Sequence, residues 1–286
     1  MRGALLRMRT LRSVIIVAIV AIILAYSLGA VYGQVMMPNG QAEPQDENEP
    51  FQEPSTPHDD RPEPRFPEDI DDTSSDRDLP GLEETVMVTT EGIQIVTNPD
   101  HVLVLVNKER NLPPDYIPND LVAAEVPFPF EGNDPRKLMQ REAAEALQQL
   151  VAGALEDSLE IYGLSGYRSY DTQKQIFAYN VQRRGEEQAN QFSARPGQSE
   201  HQTGLAMDVT SRRVDFGLTQ AFGETAEGHW LEEHAHEFGF IIRYPRGKEQ
   251  ITGYQYEPWH LRYVGIEHAN AIQASGLTLE EYLEQK

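Results

Sequence analysis

The chain contains no cysteine among its 286 residues. A disulfide framework is therefore excluded, and so is a lipid-modified N-terminal cysteine. Positive charge is also scarce, because 24 Lys and Arg stand against 46 Asp and Glu, for a net charge of −22. Without a basic stripe to contact phosphates, the sequence argues against nucleic-acid binding. A folded part of this chain must rely on its own hydrophobic core or on a bound metal.

A long apolar run occurs near the N-terminus, as SVIIVAIVAIILAYSLGAVYG at residues 13–33. It is long enough to span a bilayer as a helix. The arginines in residues 1–12 predict that the N-terminus stays in the cytoplasm. We predict a basic cytoplasmic N-terminus at 1–12, a transmembrane anchor at 13–33 and the remainder of the chain outside the cell. A cleaved signal peptide is the alternative, because Val31 and Gly33 are small enough for a processing site.

Residues 34–84 have the composition of a spacer. Residues 38–80 contain 9 of the 19 prolines and 14 Asp or Glu against 3 Arg, which is half of the net charge of the chain. Such a segment cannot bury enough apolar surface to fold. We predict a disordered acidic linker that holds the following domain away from the membrane, and partner binding by the acidic run is the alternative.

Residues 85–286 are predicted to form one folded domain. Helical periodicity, caps and β-rich runs predict helices at 135–156, 170–184, 228–238 and 266–275, and strands at 102–107, 240–245 and 251–265. Helices and short strands in mixed order indicate an α+β fold with a small antiparallel sheet flanked by helices.

The stretch SEHQTGLAMDV at residues 199–209 carries a histidine and an aspartate seven positions apart. His201 and Asp208 can both bind a metal, and the small residues Gly204 and Ala206 between them let the backbone bend. Together they predict half of a metal-coordination shell. A third ligand has to come from elsewhere in the chain.

His260 is the candidate for that third ligand. It lies in YEPWHLRYVG, an aromatic setting that predicts burial, and Glu257 stands three residues before it. In a regular strand residues 257 and 260 point to opposite faces, but Pro258 favours a bend that turns both toward one cleft. His201, Asp208 and His260 then form a two-histidine, one-carboxylate shell, with Glu257 as a general base. Spacing alone leaves a purely structural pairing equally open.

Three separated motifs together resemble one family. SEHQTGLAMD fits the pattern SxHxxGxAxD, EPWH fits ExxH, and SGYRS at 165–169 completes the set in the right order. Over roughly residues 97–276 the chain resembles the zinc D-alanyl-D-alanine carboxypeptidases of the VanY kind, which are related to the vancomycin-resistance dipeptidases. The resemblance implies the small α+β fold shared with the signalling domain of hedgehog proteins.

The resemblance also implies a cofactor and a substrate. It places Zn²⁺ on His201, Asp208 and His260, and it maps the catalytic base onto Glu257. The implied activity is that of a D-alanyl-D-alanine carboxypeptidase, which removes the terminal D-alanine from peptidoglycan stem peptides. With the predicted anchor and linker, residues 85–286 become a zinc peptidase domain on the cell-wall side of the membrane, most simply a monomer.

Three further residues have implied or candidate roles. Arg168, the arginine of SGYRS, is expected to stabilise negative charge on the former carbonyl oxygen, and from sequence alone a structural ion pair is the alternative. Ser199 and, more weakly, Gln198 are candidates to bind the free carboxylate of the substrate. Either side chain can instead cap its loop.

Three rival functions stay open. An L,D-carboxypeptidase or an L-Ala-D-Glu endopeptidase of the same fold would use the same ligand set. A non-catalytic zinc-containing module is disfavoured by the presence of Glu257 and Arg168. A non-haem iron oxygenase is disfavoured because its histidine and carboxylate usually lie two residues apart rather than seven.

Overall fold

The computed structural model describes residues 81–286. The predicted anchor at 13–33, and the predicted linker up to residue 80, lie outside these residues. Within residues 81–286, no helix combines the length and the apolar character needed to cross a membrane. The packed structure starts slightly before residue 85, because the carbonyl of Leu82 accepts a hydrogen bond from Arg110 Nη1 at 2.9 Å.

The strands of the described residues form three sheets. A small sheet has the order β1-β2-β3 and contains β1 (Val86–Val88), β2 (Gln94–Val96) and β3 (Arg110–Asn111). An antiparallel pair contains β4 (Leu121–Ala123) and β5 (Leu138–Gln140). The central antiparallel sheet has the order β6-β7-β9-β8 and contains β6 (Tyr162–Ser165), β7 (Ala206–Thr210), β8 (Phe240–Tyr244) and β9 (Glu257–Tyr263).

Helices flank these sheets. In chain order they are α1 (Arg141–Glu156), α2 (Tyr170–Arg184), α3 (Glu186–Phe192), α4 (Ala226–His234), α5 (Glu249–Thr252), α6 (Ile266–Ser275) and α7 (Leu279–Leu283). The predicted α+β class with an antiparallel sheet is confirmed by this arrangement.

The main core lies between α1 and one face of the central sheet. Leu147 and Leu150 of α1 are fully buried in the same apolar cluster as Met207, Val209 and Leu261 of the sheet. Burying a leucine side chain fully stabilises a fold by about 1.5–3 kcal/mol. Because side chains alternate along a strand, the residues between these apolar positions point to the opposite face. That face carries the polar residues of the candidate site.

The helix predicted at 135–156 begins six residues later than expected. Asp134 does accept a hydrogen bond from the backbone of Arg136, but it caps a short 3₁₀ turn, Pro135–Lys137. The chain then extends as β5 to pair with β4, and α1 begins at Arg141. Tertiary strand pairing therefore overrides the local cap and proline at this position.

The strand predicted at 102–107 is wrong. The segment is buried, as its apolar side chains require, but it joins no sheet. The carbonyls of Val102 and Val104 both accept hydrogen bonds from Arg262 Nη2 at 2.8 Å. An arginine side chain thus satisfies backbone groups that a strand would pair in a ladder.

The C-terminal third differs from prediction mainly at element ends. The helix predicted at 228–238 is α4 followed by a 3₁₀ turn that Gly239 ends in the left-handed conformation, at φ 80°. The strand predicted at 251–265 is confined to β9, because Gly253 ends the short helix α5 just before it. Helices α3, α5 and α7 were not predicted.

Candidate metal and peptidase site

The three predicted metal ligands meet at the central sheet. Asp208 of β7 lies directly opposite His260 of β9 in the strand register. His201 lies in a 3₁₀ turn, Glu200–Thr203, that leads into β7. Gly204 closes that turn at φ 71°, and a Cβ there would lie 2.8 Å from Leu121 Cδ2, so the turn requires glycine.

The ligand atoms of the triad converge on one point. His201 Nε2 lies 3.3 Å from Asp208 Oδ2, and His260 Nδ1 lies 3.1 Å from Asp208 Oδ1. One atom from each residue fits within a 4.8 Å cluster, and all three side chains are buried. Two histidines and a carboxylate leave a coordination position open, as catalytic zinc sites do.

The second nitrogen of each histidine has its own partner. His201 Nδ1 lies 2.9 Å from the carbonyl oxygen of Gly166, and His260 Nε2 lies 3.4 Å from Glu200 Oε2. An acceptor on the far nitrogen fixes the tautomer and the ring orientation of a metal ligand. Both histidine rings are therefore held in orientation through the nitrogen that points away from Asp208.

The electrostatics of the triad favour a bound cation. Burial alone would raise the pKa of Asp208, but His201 beside it holds that pKa well below its usual range. Burial alone would lower the pKa of His260, but the carboxylates of Asp208 and Glu200 raise it to about 9. Asp208 Oδ1 is buried without a hydrogen-bond partner in the described structure, although His260 Nδ1 lies 3.1 Å away. A metal ion between them would be bound by both Asp208 Oδ1 and His260 Nδ1, so these residues fit a metal site.

Glu257 lies beside the triad at the start of β9. Its Oε2 is 3.9 Å from His260 Nδ1. The bend predicted at Pro258 is present as a bulge, because Tyr244 pairs with Glu257 whereas Ile242 pairs with Leu261. Burial raises the pKa of Glu257 to about 7, and the positive charge of His260 opposes that rise. A carboxyl group with such a pKa can both accept and donate a proton near neutral pH.

Arg168 lies on the other side of the aspartate. Its Nη1 donates to Gln173 Oε1 at 2.9 Å and its Nη2 donates to Ser165 Oγ at 2.8 Å. The same Nη2 lies 4.0 Å from Asp208 Oδ2. The guanidinium is thus held in a fixed orientation at the edge of the triad, while a fifth of its side chain remains exposed.

The triad, Glu257 and Arg168 line one cleft of about 430 Å³. This volume is within the range of ordinary small-ligand sites. Ser199, a candidate to bind the substrate, also lines the cleft. Gln198 does not, because its side-chain amide donates to the carbonyl of Lys108 at 2.8 Å and faces a different surface depression.

One residue of the site was missed by sequence reasoning. Glu200 adjoins the ligand His201, is fully buried and contacts two arginines as well as His260. Its position inside the SEHQTGLAMD motif was visible in the sequence. Its partners Arg243 and Arg262 were not, because they lie 43 and 62 residues further along the chain.

Comparison with known proteins places this site in a family. Residues 136–266 match the sequence model of the family described as VanY, D-alanyl-D-alanine carboxypeptidase. YodJ of Bacillus subtilis (strain 168), itself named only provisionally as a carboxypeptidase, is 50% identical over 195 residues, which cover 68% of this chain and 71% of YodJ. The chain belongs to the VanY family.

Solved structures of this family share the fold. The LdcB LD-carboxypeptidase, whose structure has been solved, is 50% identical in sequence to this chain. The alignment covers 68% of this chain and 92% of the LdcB chain, and the TM-score is 0.67. A variant of the vancomycin-resistance D,D-pentapeptidase VanY, solved in complex with Zn(II), is 34% identical in sequence to this chain. The alignment covers 64% of this chain and 98% of the VanY chain, and the TM-score is 0.51. The predicted zinc cofactor is thus supported by that family structure and by the buried triad His201, Asp208 and His260 of this chain.

Proposed function

We propose that this protein is a zinc carboxypeptidase that removes the terminal D-alanine from peptidoglycan stem peptides. The observation that carries the proposal is the convergence of a buried triad, a carboxyl group and a guanidinium on one cleft. A purely structural metal site would be closed by a fourth protein ligand, whereas this triad faces the cleft. A non-catalytic binding module has no use for Glu257 and Arg168 at that position.

Zinc in this site would be held by His201 Nε2, His260 Nδ1 and Asp208. When bound, it lowers the pKa of water to about 7 and polarises the substrate carbonyl. Glu257 accepts the proton of the attacking water and then donates it to the leaving amine of D-alanine. Its Oε2 lies 3.9 Å from His260 Nδ1, which places the carboxyl group next to the reacting atoms.

Two other side chains act on the substrate itself. Arg168 is fixed by Gln173 and Ser165, so its charge is already oriented when negative charge develops on the former carbonyl oxygen. Ser199 lies in the cleft wall, and its hydroxyl group can donate a hydrogen bond to the terminal carboxylate of the peptide. Recognition of that carboxylate restricts cleavage to the last residue.

Two stem peptides are candidate substrates. The 50% identity to an LD-carboxypeptidase, against 34% to a D,D-pentapeptidase, favours the tetrapeptide, whose last bond joins an L-centre to D-alanine. The family description favours the pentapeptide ending in D-Ala-D-Ala. We propose the L,D activity as the principal one and the D,D activity as the second candidate.

The deciding experiment incubates the zinc-loaded full chain with each peptide separately and identifies products by mass. Loss of one D-alanine from the tetrapeptide, with a kcat/KM at least tenfold above that for the pentapeptide, is the expected result. The reverse ratio would assign the D,D activity. Internal cleavage between L-alanine and D-glutamate would assign an endopeptidase, and no cleavage by zinc-loaded protein would contradict a peptidase function.

We expect zinc to stabilise the fold. The triad is buried and assembled only in the folded chain, so bound metal adds its binding free energy to folding. At free zinc 100-fold above the Kd, the gain is about 2.7 kcal/mol. Thermal unfolding with a chelator and with zinc should show a higher Tm in zinc, and Asp208→Asn should remove most of that difference. Magnesium is the control ion, and identical melting curves in all conditions would refute a metal site here.

The location of the enzyme is also a proposal. The apolar run at 13–33 and the acidic linker at 34–84 support a single-pass membrane protein whose peptidase domain lies on the cell-wall side. Protease added to intact cells without a wall should then remove the domain while sparing cytoplasmic proteins. Protection of the domain under those conditions would place it in the cytoplasm and contradict the proposal.

A further inference from the structure

Four ionised side chains lie buried directly behind the candidate metal site. Glu200, Arg243 and Arg262 have fully buried side chains, and Glu280 of α7 is 9% exposed. We refer to these four residues as the ion network. They lie in four separate parts of the sequence: the turn before β7, strand β8, strand β9 and helix α7. None of them lies among the groups to which the proposed mechanism gives a chemical step.

The two oxygens of Glu200 have different partners. Oε1 accepts from Arg243 Nε at 2.8 Å and from Arg262 Nη1 at 2.6 Å. Oε2 faces His260 Nε2 at 3.4 Å. One oxygen therefore fixes the carboxylate within the protein, and the other is directed at the imidazole of a metal ligand.

The arginines are themselves anchored. Arg243 Nη1 and Nη2 donate to both oxygens of Glu280, at 2.9 and 2.7 Å. Arg262 donates to the backbone carbonyls of Val102 and Val104. Because both arginines are held by these other partners, Glu200 cannot rotate without breaking its own hydrogen bonds to Arg243 and Arg262.

Fold stability alone does not account for this arrangement. A buried ion network costs desolvation energy, and apolar residues of similar volume often replace such networks without loss of stability. A charged acceptor behind His260 does have a specific consequence. It keeps the proton on Nε2 and leaves Nδ1 free toward Asp208 and the metal position. His201, in contrast, is oriented by the neutral carbonyl of Gly166.

We propose that Glu200 is a positioning residue for His260, held in place by Arg243 and Arg262, and that it sets the zinc affinity of the site. The inference rests on the proposed zinc peptidase function, but it concerns metal binding rather than hydrolysis. Glu280 contributes to the fold through Arg243 and does not contact the triad.

The test compares Glu200→Gln with Glu280→Gln in the full chain. Each variant removes one carboxylate charge next to Arg243, but only Glu200 also binds Arg262 and faces His260. Zinc affinity is measured by competition with a chromophoric chelator. Loss of a charged partner behind a metal-binding histidine typically weakens metal affinity 10- to 100-fold. We expect that loss for Glu200→Gln, and a change of less than threefold for Glu280→Gln.

Two affinity results would overturn the positioning role. Unchanged zinc affinity in Glu200→Gln would show that His260 needs no charged partner, and an equal loss in Glu280→Gln would show a general effect of the network. If Glu200→Gln does not fold, Glu200→Asp keeps the charge balance but shortens the side chain, and the same 10-fold or larger loss is expected. Nitrogen NMR of zinc-loaded wild type should find His260 protonated at Nε2, and protonation at Nδ1 would contradict the geometry.

Failure of the proposed function would be recognised separately. A wild-type protein that binds zinc tightly but hydrolyses neither stem peptide leaves the affinity comparison intact, and a 10-fold or larger loss in Glu200→Gln still supports the inference. A wild-type protein that binds no zinc overturns both the function and the role of Glu200.

Discussion

Glu257→Gln is expected to lower kcat/KM for stem-peptide hydrolysis by about 10²–10⁴-fold, the contribution typical of a general acid–base group. Glutamine preserves the volume of the side chain but cannot accept the proton of the attacking water. Zinc content should stay near one per chain, because Glu257 lies 3.9 Å from His260 and is not one of the three ligands. Initial rates with each stem peptide and metal analysis of the same sample provide the measurement.

The fold should tolerate this change. Burial raises the pKa of Glu257 to about 7, which means that the site disfavours the charged carboxylate, so a neutral amide should not destabilise the protein. Glu224→Gln is a suitable control, since Glu224 is exposed and pairs with Arg246 away from the cleft. A zinc-loaded Glu257→Gln protein that keeps more than a tenth of wild-type activity would show that another group is the base.

Local sequence patterns predicted those helices whose ends are set by their own residues. Helix α2 occupies 170–184 as predicted, because Ser169 accepts a hydrogen bond from the backbone of Thr172 and Gly185 ends the helix at φ 82°. Helix α6 also matches its predicted range, 266–275, and Gly276 ends it in the left-handed conformation. In both cases the determinants lie within a few residues of the helix.

Elements that depend on distant partners were predicted poorly. The apolar run at 102–107 has the composition of a strand, but its carbonyls bind an arginine about 160 residues away in sequence. The cap at Asp134 is real, yet pairing with β4 turns the following residues into β5. No local pattern carries information about either partner, so propensity predicted the wrong element.

The site residues also separate into those that local sequence predicts and those that depend on distant partners. His201, Asp208 and His260 could be predicted because their chemistry and spacing match a known motif, and the bend at Pro258 follows from the properties of proline. Glu200 could not be interpreted without Arg243 and Arg262. An acidic residue in a turn is ordinarily solvated, and only the fold shows that this one is buried behind a ligand.

Arg168→Met is expected to reduce kcat by about 10²–10³-fold, the loss typical when an oriented donor to a developing oxyanion is removed. Methionine keeps much of the length and volume but carries no charge. KM should change less than kcat, because charge on the carbonyl oxygen develops only in the transition state. Steady-state kinetics on the preferred stem peptide, with zinc analysis of the same sample, measures both parameters.

Two further variants separate this role from that of a structural ion pair. Arg168→Lys restores the charge, but a single ammonium lacks the planar fork that now binds both Gln173 and Ser165, so only partial recovery of kcat is expected. Arg212→Met removes an exposed arginine that pairs with Glu160 outside the cleft, and it should leave kcat unchanged. If Arg168→Met instead lowers the free energy of unfolding while kcat stays within threefold of wild type, Arg168 is a structural residue. The electrostatic stabilisation of the oxyanion would then have to come from the zinc ion.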